Sequence, residues 1–570
     1  MMGRTSYILG CLTLPSLATR IPTKLFPRGS FMKIVSALLL LSVSFAVAAI
    51  ADDHDKDHHH HEDLTEAQLG TVHFPVSCAE SVQKPFARGV ALLHSFWYEE
   101  AEKEFLGIAK DDPNCAMAHW GVAMSLWHQL WDHPDEKVIK RGLKEVKTGN
   151  KLAKKSTPRE QAYLAAAAAF YSNSKNLKHD ARAKAYSDAM KKVYDSYPDD
   201  HEAAAFYALS LIASEPDDDK DFATRKQAAA VLEKVFAAEP DHPGVVHYLI
   251  HTYDRPELAQ LGIPAARRYA EIAPAAPHAL HMPSHIFARV GLWQDDINSN
   301  LASIDATRKT AAMGMGGEGH QFHAMDFLVY AYLQTGREAA AQKVIEDVKA
   351  MPSHHMDGMK YDERLESQVR FEASYVLELH QWRDAASLPF VSTDPEYNDV
   401  TYLARALGAA RSGQLAEARK DIDAVKGYAK SAREKKRTGL ADFLDRNAGE
   451  ALAWIAHSEG KDDEAINLLR TVAEKETDGF SETGFLPAQE LLGDLLLDAK
   501  RPQEALIEYQ TDLKLNPNRF NSLYGAARAA EDAGKQNDAN GYYASLLKSC
   551  AGSTSTRPEL NHARELLAQK

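Results

Sequence analysis

The sequence contains little cysteine, with four residues in a chain of 570. So few thiols exclude a disulfide-scaffold protein and a cysteine-rich zinc or iron–sulfur array. The chain also lacks an excess of basic residues, because 66 Lys and Arg face 80 Asp and Glu for a net charge of −14. Nucleic-acid binders normally carry a basic stripe that releases phosphate counterions, so neither DNA nor RNA is an expected partner.

The alternating pattern of β-strands is missing too, and from about residue 80 apolar residues recur at three- and four-residue spacing. Pro and Gly fall between these segments, as they do at helix boundaries. The pattern predicts an all-α fold of antiparallel helical hairpins, the unit of an α-solenoid. Histidine, by contrast, is abundant at 25 residues, and it directs the search for chemistry.

A long apolar run lies near the N-terminus. Residues 32–51 begin with Met-Lys, continue as an apolar stretch and end in Ala-Ile-Ala, which predicts a secretory signal peptide. An uncleaved membrane anchor is the alternative, since the run is just long enough to span a bilayer. We interpret residues 1–31 as an upstream extension and 52–80 as a flexible segment rich in His and Asp. The expectation is a periplasmic or secreted protein with no membrane span after cleavage.

Internal repeats identify the type of solenoid. Three residues recur after 34 positions, since Ala505, Tyr509 and Leu513 reappear as Ala539, Tyr543 and Leu547. A shorter pattern consists of a glycine, an alanine five residues later and a large apolar residue four residues after that. It starts at Gly336, Gly413, Gly460 and Gly534. On these features residues 81–550 resemble the tetratricopeptide-repeat family. The resemblance implies about ten or eleven helix pairs in a right-handed superhelix, with a protein or peptide partner in its concave groove. Residues 551–570 are expected to form a C-terminal capping helix.

The repeat register places Cys78 and Cys115 at the starts of neighbouring helices. In an oxidising compartment such a pair is expected to form a disulfide, and two isolated buried thiols are the alternative. Cys550 is left over near the C-terminus.

Histidines concentrate on the inner face of three consecutive first helices, in a register set by Pro240, Pro274 and Gly336. Positions two, five, nine, twelve and thirteen of a repeat usually contact ligand in the family, and residues one turn apart share a helical face. Those positions hold His247, His251 and Asp254 in one helix, His278, His281, His285 and Arg289 in the next, and His323, Asp326 and Tyr330 in the third. Arg370 lies on the neighbouring helix.

Two departures from the repeat pattern fall in the same place. Pro283 stands in mid-helix, where it removes a backbone hydrogen bond and bends the helix. Asp296 and Asn300 stand where the repeat normally has Ala and a large apolar residue, and they face Ser284. Polar groups at a packing seam cost stability unless they are hydrogen-bonded. Local rules broken together indicate a functional site.

Imidazoles one turn apart can chelate a metal ion, and a carboxylate can complete the shell or orient a ring. We therefore predict one metal site, for zinc or copper, made by four histidines: His247, His251, His281 and His285. Asp254 or Asp326 would be a ligand or a hydrogen-bond partner, and His247, His251 and Asp254 form a two-His, one-carboxylate set on one helix. The alternatives are histidines hydrogen-bonded along a wet groove, and an anionic ligand held by Arg289 and Arg370.

A second metal site is predicted at the mature N-terminus. Cleavage after Ala51 would leave a chain beginning Asp-Asp-His, whose amine, two amides and His54 imidazole suit copper(II) or nickel(II). A merely solvated tail is the alternative.

The N-terminal end of the groove is different in character. Trp120 and Trp127 occupy concave positions of early repeats, where aromatic side chains can hold an apolar peptide or helix. If residues 62–80 cap these repeats or the repeats close tightly, both indoles are core instead.

The sequence supports two hypotheses about function. The sequence has no HExxH, nucleophile elbow, phosphate-binding loop or EF-hand, so it names no catalytic nucleophile. An interaction scaffold is the first hypothesis, and a transition-metal-binding protein or metal-dependent enzyme using residues 247–326 is the second.

Overall fold

The computed structural model describes residues 64–130, 133–216, 219–315, 319–355, 361–393, 397–476 and 486–568. Within these ranges every regular element is a helix and no strand occurs, so the predicted all-α class is confirmed. None of the helices in these ranges is long and apolar enough to cross a membrane. The predicted signal peptide and His54 lie outside the described residues.

The chain passes through its helices in three stretches. The first comprises α1 (Glu66–Leu69), α2 (Gln83–His94), α3 (Tyr98–Asp111), α4 (Ala116–Ser125), α5 (Glu136–Leu152), α6 (Pro158–Tyr171), α7 (His179–Ser196), α8 (His201–Ala213) and α9 (Ala223–Ala238). The second comprises α10 (Pro243–Tyr253), α11 (Ala259–Ile272), α12 (Pro277–His281), α13 (Pro283–Arg289), α14 (Trp293–Ala312), α15 (Gly319–Gln334), α16 (Glu338–Ala350), α17 (Glu363–Glu378) and α18 (Trp382–Ala386). The third comprises α19 (Asp399–Arg411), α20 (Leu415–Glu434), α21 (Thr438–Ser458), α22 (Asp462–Ala473), α23 (Ala488–Asp498), α24 (Pro502–Leu515), α25 (Phe520–Asp532), α26 (Gln536–Ser549) and α27 (Pro558–Ala568).

Successive helices from α2 to α26 pack as hairpins, and α27 packs on α26. The number of hairpins is slightly larger than the ten or eleven helix pairs expected from the sequence. The small residues of the repeat pattern make this packing possible. A Cβ atom at Gly121 would lie 2.3 Å from the Phe105 ring, and one at Gly525 would lie 2.3 Å from the Tyr509 ring. In these two pairs an aromatic ring of the second helix fills the space that a glycine leaves on the next first helix.

The break between α12 and α13 falls at Pro283, as predicted. Proline has no N–H to donate and its ring clashes with the preceding turn. The two short helices together occupy the place of one bent first helix.

The first turn of the solenoid closes on itself. Helix α2 packs against α10, and the His94 Nδ1 atom lies 2.9 Å from the Tyr248 hydroxyl. Gly244 permits this approach, because a Cβ atom there would lie 2.3 Å from His94 Nδ1. His94 also stacks on Phe206 of α8 at 4.9 Å between ring centroids. The inner faces of α2, α4, α6, α8 and α10 therefore form a packed core.

This closure corrects the prediction of an apolar groove at Trp120 and Trp127. Both side chains are fully buried. Trp120 contacts Phe74 and Phe206 at 5.5 and 5.4 Å between ring centroids, and Trp127 stacks on Phe170 at 3.5 Å. The alternative interpretation of these indoles as core describes what the structure shows.

The segment before α2 is packed rather than flexible over its described part, residues 64–80. Phe74 and Leu69 are buried, the Ser77 N–H donates to Glu160 Oε1 at 2.7 Å, and the Ala275 N–H donates to the Gln68 carbonyl at 3.1 Å. The predicted disulfide joins Cys78 to Cys115 and fastens this segment to the start of α4. Cys550 is a buried free thiol.

Candidate metal centre

Six histidines from α10, α12, α13 and α15 gather in two sets of three. Triad A consists of His247, His251 and His278, and triad B consists of His281, His285 and His323. In each triad, one ring nitrogen from every histidine lies within 4.8 Å of the others. The structure thus brings the predicted histidines together in two clusters instead of the single site expected.

Both triads follow the same rule of register. Each takes positions five and nine of one first helix and position two of the next first helix along the chain. Positions five and nine are one helical turn apart and point the same way, and position two of the following helix reaches back toward them. The sequence pattern placed all six side chains on the inner face. It did not predict that position two of one first helix would contact positions five and nine of the preceding first helix.

The ring nitrogens approach closely at their Nε2 atoms. In triad A, His247 Nε2 lies 3.1 Å from both His251 Nε2 and His278 Nε2. In triad B, His281 Nε2 lies 3.0 Å from His285 Nε2, and the His323 ring centroid lies 4.6 Å from that of His281.

The opposite ring nitrogens show where the protons are. His247 Nδ1 lies 2.6 Å from the His94 carbonyl oxygen. A carbonyl can only accept, so His247 Nδ1 carries the proton and donates it. A neutral His247 therefore presents a bare lone pair at Nε2 to both of its neighbours.

The same argument places a proton on Nδ1 of two histidines in triad B. His281 Nδ1 donates to Asn300 Oδ1 at 2.7 Å, and the amide orientation is set because Asn300 Nδ2 donates to the Asp296 carboxyl at 2.7 Å. His285 Nδ1 donates to Asp254 Oδ2 at 3.0 Å. The two Nε2 lone pairs of His281 and His285 thus face each other at 3.0 Å.

Two facing lone pairs repel unless a cation lies between them. Burial, followed by the charges of the other imidazoles, lowers the pKa of His247, His278, His281 and His323 well below the usual value, so these four rings do not supply a proton. Burial likewise lowers the pKa of His251 to about 3. Metal–nitrogen bonds of 2.0–2.1 Å at ordinary bond angles separate two ligand nitrogens by about 2.9–3.4 Å. The observed spacing fits that geometry.

Each triad rests against one phenylalanine. The Phe96 ring lies 4.3 Å from His247 and 5.5 Å from both His251 and His278, between centroids. Phe327 lies 4.7–5.3 Å from the three rings of triad B. These rings close one side of each triad, while His251 and His323 are only half-buried and give access from the other side.

Of its two predicted roles, ligand or hydrogen-bond partner, Asp254 takes the second. Asp254 ends α10 and turns toward α13, where it accepts from His285 Nδ1 and from Arg289 Nε at 2.9 Å. The two-His, one-carboxylate set on α10 is therefore not formed, and Asp254 orients His285 instead. Burial alone would raise the pKa of the Asp254 carboxyl, but Arg289 and His285 outweigh it and hold that pKa well below the usual value.

The residues predicted to hold an anionic ligand are paired within the protein. Arg370 forms an ion pair with Asp326 at 3.3 Å, and Arg289 forms one with Asp254. The Tyr330 hydroxyl accepts from Arg519 at 2.8 Å, and Arg519 also pairs with Glu490. Tyr330 therefore belongs to a buried junction between α15 and α25, away from the triads.

The predicted polar trio at the seam of α13 and α14 is hydrogen-bonded. Ser284 Oγ donates to Asn300 Oδ1 at 3.3 Å, and Asn300 joins Asp296 to His281. These departures from the repeat pattern orient a ring of triad B.

Sequence reasoning missed a third group, the carboxylate cluster of His94, Glu202 and His242. Glu202 accepts from His94 Nε2 at 2.7 Å and from His242 Nε2 at 3.0 Å. His242 Nδ1 accepts from the Val245 N–H at the start of α10. The cluster adjoins triad A, because His247 donates to the His94 carbonyl. No spacing in the sequence links Glu202 to histidines so far away along the chain.

Comparisons with known proteins add little to this centre. A scan against protein-family models and a search of curated proteins gave no match. Similar solved structures include a human IFIT1 dimer with m7Gppp-AAAA (14% identity, 81% of this chain and 95% of that one, TM-score 0.33). They also include the APC/C hetero-tetramer Cut9–Hcn1 (12%, 85% and 89%, TM-score 0.27) and Ypp1 (11%, 82% and 82%, TM-score 0.43). Likenesses this distant carry no argument about function, and the helical solenoid rests on the helices described above.

Proposed function

We propose that this chain is an exported protein that binds two transition-metal ions, one at each imidazole triad. The observation that carries the proposal is the close approach of the Nε2 atoms of His281 and His285, 3.0 Å apart, within a set of three histidines. Both rings donate from Nδ1 to fixed acceptors, so in its neutral form each ring presents an unprotonated Nε2 to the other. Imidazole ligands suit copper and zinc, and a set of three leaves a coordination position open.

The partners of the Nδ1 atoms support the proposal. Histidines that bind metals usually donate their other ring N–H to a carboxylate or a carbonyl, which fixes the tautomer and orients the ring. His285 donates to Asp254, His247 to a backbone carbonyl and His281 to Asn300. Rings held in this way are oriented for a metal before it arrives.

A protein-binding scaffold is the second candidate function, since helical solenoids often serve as scaffolds although a fold does not determine function. The closed first turn weakens it, because the inner faces of α2 to α10 pack against one another. A scaffold would bind its partner equally well in the presence of a chelator.

Metal analysis of the full exported chain, purified without an affinity tag and reloaded with copper(II) or zinc, tests the proposal. Every sample carries alanines in place of the tail histidines, His54 and His58 to His61, so that only the triads are measured. We expect two ions per chain, and their loss in the double variant His251→Ala, His285→Ala.

The matched control is His457→Ala, which removes a half-buried histidine of α21 paired with Asp462. This variant should retain both ions. Fewer than two ions in the reloaded protein, or an unchanged metal content in the double variant, would overturn the proposal.

A further inference from the structure

The two triads lie side by side on the inner wall. His278 of triad A and His281 of triad B sit on the same bent helix with ring centroids 6.3 Å apart.

A seventh imidazole borders triad A. The His320 ring lies 5.3 Å from that of His278. His320 lies at the start of α15 and is half-buried. The two triads and His320 thus form one continuous group of imidazoles, with Phe96 packed against triad A and Phe327 against triad B.

The charge at the two triads would be unbalanced if each bound a divalent ion. Six neutral imidazoles contribute no negative charge, so two divalent ions would bring four positive charges into a buried site. The nearby carboxylates Asp254 and Asp326 are each paired with an arginine. Buried charge is costly unless it is compensated by an opposite charge at close range. An anion taken up from solution would offset part of this charge.

We propose that the two ions act as one two-metal centre that takes up a small anion, such as hydroxide or azide, as a bridging ligand between them. The inference rests on the proposed function, since it requires both ions. Each three-histidine set leaves a coordination position free for the anion. Two-metal sites that share one ligand hold their ions about 3.5–4 Å apart.

Electron paramagnetic resonance of the copper(II)-loaded chain, with the tail histidines replaced, tests the inference, and azide is the added probe. Two copper(II) ions that share a ligand couple their spins, so most of the signal expected for two ions should be lost at full copper content. Azide should exchange into the bridge and give a new charge-transfer absorption band.

The variant His323→Ala breaks triad B and should keep one copper ion in triad A. Its signal should return to the intensity of one uncoupled spin per chain. His251→Ala breaks triad A instead and should give the same result from triad B, so the test survives if either variant fails to fold. His457→Ala should behave as the unsubstituted chain.

The outcomes separate the inference from the proposed function. Two bound copper ions with the full intensity of two spins, unchanged by azide, would overturn the bridged centre and leave the two metal sites standing. Fewer than two bound copper ions would overturn both.

Discussion

The triads and the carboxylate cluster adjoin each other and are built from the same residue type under similar burial, yet their hydrogen bonds differ. In the carboxylate cluster Glu202 accepts an N–H from each of two imidazoles, and the second nitrogen of each ring also has a polar partner. In the triads, acceptors bind the Nδ1 atoms of His247, His281 and His285, and the Nε2 atoms of these rings face neighbouring imidazoles. A cluster of metal-ligand residues is thus not itself a metal site. The placement of protons distinguishes a cluster whose hydrogen bonds are complete from one whose ring nitrogens could accept a cation.

The largest effect is expected from Glu202→Gln. A glutamine accepts through one oxygen only, so one of the two imidazole N–H groups loses its acceptor and the other loses a charged one. Breaking a buried pair of this kind should lower the free energy of unfolding by about 3–5 kcal/mol. Denaturant unfolding of the metal-free protein measures the change, and added metal should not restore it.

The same carboxyl makes stability depend on pH. Burial alone would raise the pKa of Glu202, but His94 and His242 outweigh it and hold that pKa below its ordinary value. The folded protein therefore binds this proton less readily than the unfolded chain, and the stabilisation present above about pH 4 should be lost as the pH falls further. Glu145→Gln, at the more accessible pair with His119, serves as control and should cost no more than about 1 kcal/mol.

The next effect distinguishes the triads from the cluster. At a metal concentration about a hundred times the dissociation constant, binding should raise the free energy of unfolding by about 2.7 kcal/mol for each site. The double variant His251→Ala, His285→Ala should show no such rise, because each triad is left with two ligands. Denaturant unfolding with and without metal measures both. An equal rise in the two proteins would assign metal binding elsewhere.

A smaller effect is expected from Asn300→Leu, which keeps the size of the side chain but removes the acceptor of His281 Nδ1. Loss of such a partner typically weakens metal binding about 10- to 100-fold. Competition with a chromophoric chelator measures the affinity of each ion, and only that of triad B should change. Asn447→Leu, a buried asparagine of α21, is the control. Equal affinities in the two variants would contradict the role given to Asn300.

The smallest effect concerns acidity. The sequence alone leads one to expect metal release below about pH 6, the range of an ordinary imidazole. Burial lowers the pKa of His251 to about 3, so protons compete with the metal only at lower pH. Dialysis at about pH 5 should leave both triad ions bound while the tail histidines, with the pKa of an ordinary imidazole, release theirs, as metal analysis with and without the tail substitutions would show. Release from the triads near pH 6.5 would contradict the assigned burial.

Local spacing decided which side chains could meet. Histidines one turn apart must share a helical face, and the Pro and Gly landmarks placed that face inward, so residues such as His247, His251, His281 and His285 were correctly placed on the inner wall. The bend at Pro283 and the polar seam at Asn300 follow from the same local rules. The missing N–H of a proline and the amide of an asparagine change the hydrogen bonds of their immediate surroundings.

Tertiary structure decided the partners. The division into two triads depends on position two of the following helix, and the closure that buries Trp120 depends on Gly244 meeting His94, about 150 residues earlier in the chain. Asp254 joins His285 instead of its own helix because α10 ends there and the Asp254 side chain reaches α13. Helical periodicity fixes the direction of a side chain, but the hydrogen bond it makes and the proton it carries depend on atoms brought in by distant parts of the chain.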